Sequence, residues 1–201
     1  MSELHRHLKR VEWAAMAGAL LLLGGCGINN IPSYKQQVDA SWSQVLNEYQ
    51  RRTDLIPNLV ATVKGYAAHE AGVLEAVTEA RAKVAQTRIP PDILTNPKAF
   101  QAFEQSQATL SGALSRLMVV TENYPNLKAD QNFLTLQSQL EGTENRIAVA
   151  RRDYILAVQQ YDTELTTIPG RWYHSAFYGS YLPVQNFTIS EQAQQAPQVK
   201  F

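Results

Sequence analysis

Apolar residues recur along the chain at spacings that alternate between three and four. A period near 3.5 residues predicts amphipathic helices with long apolar seams. Arg52 and Glu70 are the charged residues that fall on the first of these stripes, so both are candidates for a structural or binding role. The first stripe consists of Val38, Trp42, Val45, Tyr49, Ile56, Leu59, Val63, Tyr66, Val73, Val77, Ala80 and Val84.

Pro57 lies inside this first stripe. Proline removes one helical hydrogen bond and clashes with the preceding turn, so we expect a kink or short break near Asp54 to Asn58, with Asp54 capping the restart. The apolar register continues past the proline, which favours a kink over a reversal of direction. We expect Arg51, Arg52 and Asp54 to brace this turn through local ion pairs, and a ligand or partner site on the same residues is the alternative.

Two further stripes predict two more helices, one from about Pro97 to Asn123 and one beginning after Asp130. A proline-rich loop precedes the first of them, and Pro169-Gly170 ends the second. No strand pattern competes across residues 35–168, so the predicted fold is all-α, an antiparallel bundle of long amphipathic helices. The stripes are Phe100, Phe103, Leu110, Leu114, Leu117 and Tyr124, then Phe133, Leu136, Leu140, Ile147, Ala150, Tyr154, Val158, Tyr161 and Leu165.

Several arginines project from these helices and are expected to cross-brace neighbouring helices. Partly buried pairs of arginine and carboxylate are costly to break. The arginines are Arg81, Arg146, Arg151 and Arg152, and the candidate acidic partners are Glu70, Glu141 and Glu144.

The chain changes character after Gly170 and becomes rich in aromatic residues, including Trp172 and Tyr173. We expect an irregular segment here that covers the open end of the bundle. Because exposed rings form an unusual surface and aromatic residues favour membrane interfaces, contact with lipid or protein is the alternative. The last residues, 191–201, are rich in Gln and Ala and predict a loosely docked tail.

The start of the chain has the features of an exported lipoprotein. A basic head is followed by an uncharged run of thirteen residues from Trp13 to Gly25, short of the ~20 that span a bilayer as a helix. The run ends in Leu23, Gly24, Gly25 and Cys26, which satisfy a bacterial lipobox. We therefore expect acylation of Cys26 and attachment to a lipid bilayer. A single-pass protein that keeps its N-terminal helix is the alternative.

This anchor divides the sequence and places it in the cell envelope, outside the cytoplasm. The expected parts are a signal peptide (1–25), a tether (26–34), a helical bundle (35–168) and an aromatic C-terminal segment with its tail (169–201). In a Gram-negative host, Gly27 after the cysteine predicts the periplasmic side of the outer membrane.

Charge and residue inventory exclude several function classes. Without residues 1–25 the chain keeps 15 of its 18 Lys and Arg and 16 of its 18 Asp and Glu, a net charge of −1. A nucleic-acid partner is therefore not expected. His69 and His174 are the histidines that remain, and no zinc-type ligand set, phosphate loop or nucleophile motif accompanies them. His69 and Glu70 are adjacent, hence point in different directions on a helix. We predict no cofactor, no metal and no catalytic residue.

Several ordered motifs in residues 35–168 resemble the bacterial LemA family. They are RRTDLIPNLV at 51–60, TVKGYA at 62–67 with His69-Glu70, LSGAL at 110–114, YPNLKA at 124–129, NFL at 132–134 with Leu136-Gln137, and ENRIA at 144–148 with Arg151 and Tyr154. The resemblance implies a helical, extracytoplasmic protein tethered at its N-terminus, with no established enzymatic activity or cofactor. The sequence departs from the common family pattern in its lipobox and in its aromatic, rather than acidic, C-terminal region.

These observations favour a non-enzymatic envelope scaffold that contacts other envelope proteins and possesses a seam suited to self-assembly. Membrane contact or remodelling through the aromatic segment is one alternative. A regulator of an envelope peptidase is another, which rests on the family resemblance alone.

Overall fold

The computed structural model describes residues 27–187, and within them every regular element is helical. Two long helices, α1 (Asn30–Tyr66) and α5 (Gln131–Thr166), pack antiparallel and form the most extensive interface of the molecule. They have 37 and 36 residues. At ~1.5 Å per residue each is a rod of about 55 Å. The predicted all-α bundle is confirmed.

Shorter helices complete the bundle beside this pair. The chain forms α2 (Ala71–Gln86), a single 3₁₀ turn (Ile93–Thr95) and α3 (Pro97–Thr121). It continues through α4 (Pro125–Lys128) and α5, and ends its helical part with α6 (Gly170–Phe177).

Local sequence signals set the starts of two of these helices. Asn96 caps α3 by accepting a hydrogen bond from the Ala99 amide, with Pro97 at the first helical position. Asp130 caps α5 in the same way, accepting from the Phe133 amide at 2.9 Å. These starts agree with the sequence prediction.

The first predicted helix needs correction. Helix α1 continues through Pro57 without a break, so the short interruption there is wrong. Asp54 lies in mid-helix and accepts a hydrogen bond from Gln50 at 2.8 Å, so it does not cap a restart. The chain instead leaves the helix after Tyr66 and folds back, since Arg81 of α2 reaches the backbone of α1. The turn at residues 67–70 has neither proline nor glycine, which is why the apolar period alone missed it.

The C-terminal segment is only partly irregular. Pro169-Gly170 ends α5 as predicted, but Gly170 also starts a new helix, and because the seven residues after it contain no helix breaker, α6 continues to Phe177. Residues 178–187, here called the C-terminal strap, then run without regular structure across the bundle.

The core divides into two clusters stacked along the α1–α5 rod. The aromatic cluster lies toward the start of α1 and the end of α5, and the strap covers it. The aliphatic cluster lies toward the end of α1 and the start of α5. Main members of the aromatic cluster are Trp42, Tyr49, Phe100, Phe103, Tyr154 and Phe187, and those of the aliphatic cluster are Ile56, Leu59, Val63, Leu110, Leu117 and Leu140.

Candidate functional site: a buried arginine layer beside an open groove

A layer of buried polar side chains separates the two apolar clusters. It draws residues from α1, α3 and α5, each at the point where the apolar stripe of its helix is interrupted. Its members are Glu48, Arg52, Thr53, Ser106, Gln107 and Thr143.

Arg52 is the centre of this layer and is only 1% exposed. One guanidinium nitrogen donates to Gln107 Oε1 at 2.6 Å, and the other donates to Ser111 Oγ at 2.7 Å and to Glu144 Oε1 at 3.1 Å. Its guanidinium also lies 5.0 Å from the centre of the Tyr49 ring. Arg52 thus ties α1 to α3 and α5 through charge-assisted hydrogen bonds. Its Nε atom is buried without a hydrogen-bond partner among residues 27–187.

A second arginine strengthens the same level of the bundle from α5. Arg146 donates through Nε to Glu48 at 3.0 Å and through a terminal nitrogen to Thr143 at 2.8 Å. Gln44 donates to the other oxygen of the Glu48 carboxylate. Two ion pairs therefore cross the α1–α5 interface: Arg52–Glu144, with its arginine on α1, and Arg146–Glu48, with its arginine on α5.

Arg81 has a different role, because its partner is a backbone carbonyl. Pro57 has no N–H, so the Thr53 carbonyl one turn earlier lacks its usual helical donor. Arg81 Nε donates to that carbonyl oxygen at 3.2 Å. The arginine on α2 therefore replaces the hydrogen bond that the proline removes from α1.

The polar layer opens onto a groove of about 640 Å³ between α3 and α5. Apolar side chains line part of its wall, and Glu144, whose side chain is 42% exposed, lies at the boundary between the groove and the buried Arg52. The lining consists of Ser111, Leu114, Ser115, Met118, Leu140, Glu141, Glu144 and Asn145. A smaller groove of about 300 Å³ follows α1 and α5 beside Glu48 and Arg146.

The strap is held over the aromatic cluster by buried phenols. Tyr154 donates to the Gln185 carbonyl at 2.6 Å and Tyr161 to the Leu182 carbonyl at 3.0 Å. Burial raises the pKa of both tyrosines, so they remain protonated donors. Arg151 lies 4.3 Å from the centre of the Phe187 ring, a cation–π contact that fastens the end of the strap.

The remaining residues singled out in the sequence are scattered. Arg51, Asn58 and His69 are exposed, and none of them joins the polar layer. Glu70 accepts a hydrogen bond from the Tyr124 hydroxyl at 2.8 Å, which ties the α1–α2 turn to the end of α3. This contact raises the pKa of the Tyr124 phenol.

Two groups of expected contacts need correction. Arg52 does not pair locally with Asp54, because its side chain points across the bundle to α3 and α5. Arg152 pairs with its neighbour Asp153 on the surface instead of bracing another helix.

Trp172 is exposed, whereas Tyr173 is half-buried and lies beside Gly27. The lipidation site Cys26 and its lipobox residues Leu23, Gly24 and Gly25 lie outside the described residues.

Sequence reasoning missed Gln107 and Glu48 as members of the layer. Gln107 occupies a stripe position of α3, between Phe103 and Leu110, where an apolar residue is expected. A polar residue at such a position was the available signal.

Within residues 27–187 no group of His, Cys, Asp or Glu is placed to hold a metal ion, and no helix there is both long and apolar enough to cross a membrane.

The fold and this site define an antiparallel long-helix bundle braced by a buried arginine layer. The chain belongs to the LemA family, whose model matches residues 41–201. It is also similar to two magnetosome proteins of Paramagnetospirillum magneticum (strain ATCC 700264 / AMB-1), MamQ 1 and MamQ 2. Each is 34% identical over 85 residues, which are 42% of this chain and 28% of the relative. The matched stretch thus spans little more than a quarter of these relatives.

Proposed function

We propose that this protein is a non-enzymatic scaffold of the bacterial envelope, anchored to a membrane through acylated Cys26, that binds a protein partner in the groove between α3 and α5. The observation that carries the proposal is the open groove beside a rigid polar layer. Its apolar wall of Leu114, Met118 and Leu140 offers area for contact, and the rim carboxylates Glu141 and Glu144 offer specificity.

The bracing contacts support a binding role. Arg52 and Arg146 lie near the groove, and both are held by helix-to-helix hydrogen bonds. Groups fixed in this way hold the walls of the groove in place, and a preformed site loses less conformational entropy when a partner binds.

The length of the rod supports a role in presentation. Arg52, which donates to both Ser111 and Glu144 of the groove, lies 22 residues after the start of α1. Glu144 lies 22 residues before the end of α5, and both of these helix ends neighbour the proposed anchor. At ~1.5 Å per residue the groove is about 33 Å along the rod from that end. An anchored bundle would therefore hold the groove away from the bilayer surface.

Photocrosslinking in intact envelopes tests the partner-binding part of the proposal. A photoreactive residue at Ser115 lies in the groove, and one at Thr109 provides the matched control. Both positions are exposed on α3, and Thr109 is six residues earlier, about 120° around the helix from Ser115. We expect discrete adducts from Ser115 and none of the same mass from Thr109. An adduct of twice the protein's mass identifies self-assembly, and a larger or smaller one a different protein.

Equal adduct patterns from the two positions, or none from either, would refute the groove as a binding surface. The anchor has a separate test, because mass spectrometry of protein extracted from membranes should find a chain that begins at acylated Cys26. An intact Met1 terminus would instead support the single-pass alternative.

A further inference from the structure

The most exposed aromatic side chains of the described residues lie on α6. Trp172 and Phe177 are 63% and 68% exposed, and Ile168 and Leu182 on either side of the helix are also exposed. Tyr173 of the same helix packs against the aromatic cluster, and His174 contacts the Tyr181 carbonyl of the strap at 2.9 Å. Exposed large apolar side chains concentrated in one short segment indicate a contact surface.

Helix α6 lies beside the point where the chain enters the bundle. A Cβ atom added to Gly27 would be 3.9 Å from the Tyr173 ring, and Asn30 donates to Glu164 at 3.2 Å. Gly170 starts α6 so close to α5 that an added Cβ would lie 2.1 Å from the Glu164 carbonyl oxygen. The exposed rings are therefore held at the end of the rod that follows Cys26 and the apolar run of residues 13–25.

The charge pattern selects a lipid surface as the occupant. From Leu165 to Ser190 the chain carries no Asp or Glu, and Arg171 is its one Lys or Arg. Tryptophan, tyrosine and arginine are the side chains that favour the water–lipid interface, whereas carboxylates are repelled by anionic headgroups. A protein partner would require no such exclusion of acidic residues.

We propose that α6 is an interfacial helix, which places Trp172 and Phe177 in the headgroup region of the bilayer that holds the anchor. This inference rests on the anchoring part of the proposed function. Two adjacent attachments, the anchor and α6, restrict the bundle to one orientation on the membrane. The groove between α3 and α5 then faces a fixed direction relative to the bilayer.

Fluorescence quenching of the anchored full-length protein tests this inference. The protein is reconstituted in vesicles of phosphatidylethanolamine and phosphatidylglycerol, with or without lipids brominated on their acyl chains. Subtracting the signal of Trp172→Phe from that of the wild type isolates Trp172, because both proteins share their other tryptophans, Trp13 in the expected signal peptide and Trp42 in the aromatic cluster. We expect brominated lipid to quench the Trp172 emission, because an interfacial ring lies beside the acyl chains.

A second reporter provides the control. Val119→Trp in the Trp172→Phe background places an equally exposed ring on α3, at the aliphatic end of the bundle. We expect that ring to be quenched by aqueous acrylamide and not by brominated lipid. Equal quenching of the two reporters by brominated lipid would overturn the inference. Vesicle flotation separates the two proposals: failure to float refutes the anchor and α6 together, whereas flotation without quenching of Trp172 refutes α6 alone.

Discussion

Replacing Arg52 by methionine should destabilise the bundle more than any change to its ionic partner. The substitution keeps most of the aliphatic packing but leaves Gln107 Oε1 and Ser111 Oγ without their charged donor. Hydrogen bonds to charged groups contribute ~1.5–3 kcal/mol each. Removing a buried charge with an unpaired Nε recovers part of that loss. We therefore expect a net loss of about 3 kcal/mol, or about 9 °C in Tm for a domain of this size.

Glu144→Gln provides the matched comparison. Its side chain is 42% exposed, so water can replace much of what the ion pair contributes. Glutamine can still accept a hydrogen bond from Arg52, but the buried guanidinium loses its counter-ion, so we expect a loss of about 1–2 kcal/mol. The expected order is therefore a larger effect of Arg52→Met and a smaller effect of Glu144→Gln. Urea unfolding of a form that begins at Gly27, followed by helical circular dichroism, measures both, with an unchanged m-value as the check on two-state behaviour.

A rescue experiment tests the physical reason for this order. If the loss comes from an unpaired Gln107 amide, Arg52→Met combined with Gln107→Leu should recover at least ~1 kcal/mol relative to Arg52→Met alone. Equal costs for Arg52→Met and Glu144→Gln would refute the reasoning, because the ion pair would then outweigh the buried hydrogen bonds. A double variant no more stable than Arg52→Met would refute it as well.

Three further predictions follow from single contacts. Arg81→Met should cost about 1 kcal/mol in the wild type and close to nothing in a Pro57→Ala background, where an amide restores the helical bond. Gly170→Ala should displace α6 and weaken vesicle quenching of the ring on it, whereas Gly112→Ala, in open space on α3, should stabilise by about 1 kcal/mol. Asp162→Asn should stabilise the fold at neutral pH, and the gain should vanish in acid.

The pH dependence of Asp162→Asn follows from the direction of one pKa shift. Burial raises the pKa of the Asp162 carboxyl above its ordinary value of 3.8, against the opposing hydrogen bond from the Val184 amide. A carboxyl with a raised pKa stabilises the fold below the unfolded value, and this contribution is lost as pH rises through the folded value. Stability curves of wild type and variant should therefore converge below about pH 3.8. A gap that widens toward low pH would contradict this sign.

An equal cost of Arg81→Met in the wild-type and Pro57→Ala backgrounds would refute the carbonyl explanation.

Asp130→Asn should show the opposite pH dependence of stability to Asp162→Asn. The hydrogen bond from the Phe133 amide lowers the pKa of Asp130, so its contribution is present above pH 3.8 and lost in acid. Thermal unfolding across pH distinguishes the two aspartates. For the glycine pair, equal quenching and equal Tm in both variants would contradict the close approach at Gly170.

Much of the architecture was predictable because periodicity reports which face of a helix is buried. The stripes of α3 and α5 and the caps Asn96 and Asp130 are local features, and each depends on residues within one turn. The reversal at residues 67–70 was not predictable in this way. Its cause is tertiary, since α2 is drawn back by packing against α1 and α3 and by the Arg81 contact to Thr53.

Only part of the candidate site was predictable from the sequence. Arg52 stood out as a charge on an apolar stripe, but its partners lie 55 to 92 residues away and no local pattern links them. Each partner helix nevertheless has its own polar interruption, at Gln107 and at Thr143. Matching such interruptions between stripes would have suggested a shared layer, whereas the choice of which carboxylate pairs with Arg52 needed the three-dimensional packing.

The buried layer and the aromatic end are connected through the register of α1 against α5. Seams with a near-regular heptad period can slide by seven residues, about 10 Å, and still bury apolar residues. Such a slip would leave Arg52 facing an apolar cluster with its charge unpaired, so the layer penalises it strongly. The same slip would carry Asn30 about 10 Å from Glu164 and separate Gly27 from Tyr173. The cost of unpairing Arg52 in mid-bundle thus keeps α6 beside the first residues of α1, some 33 Å away along the rod.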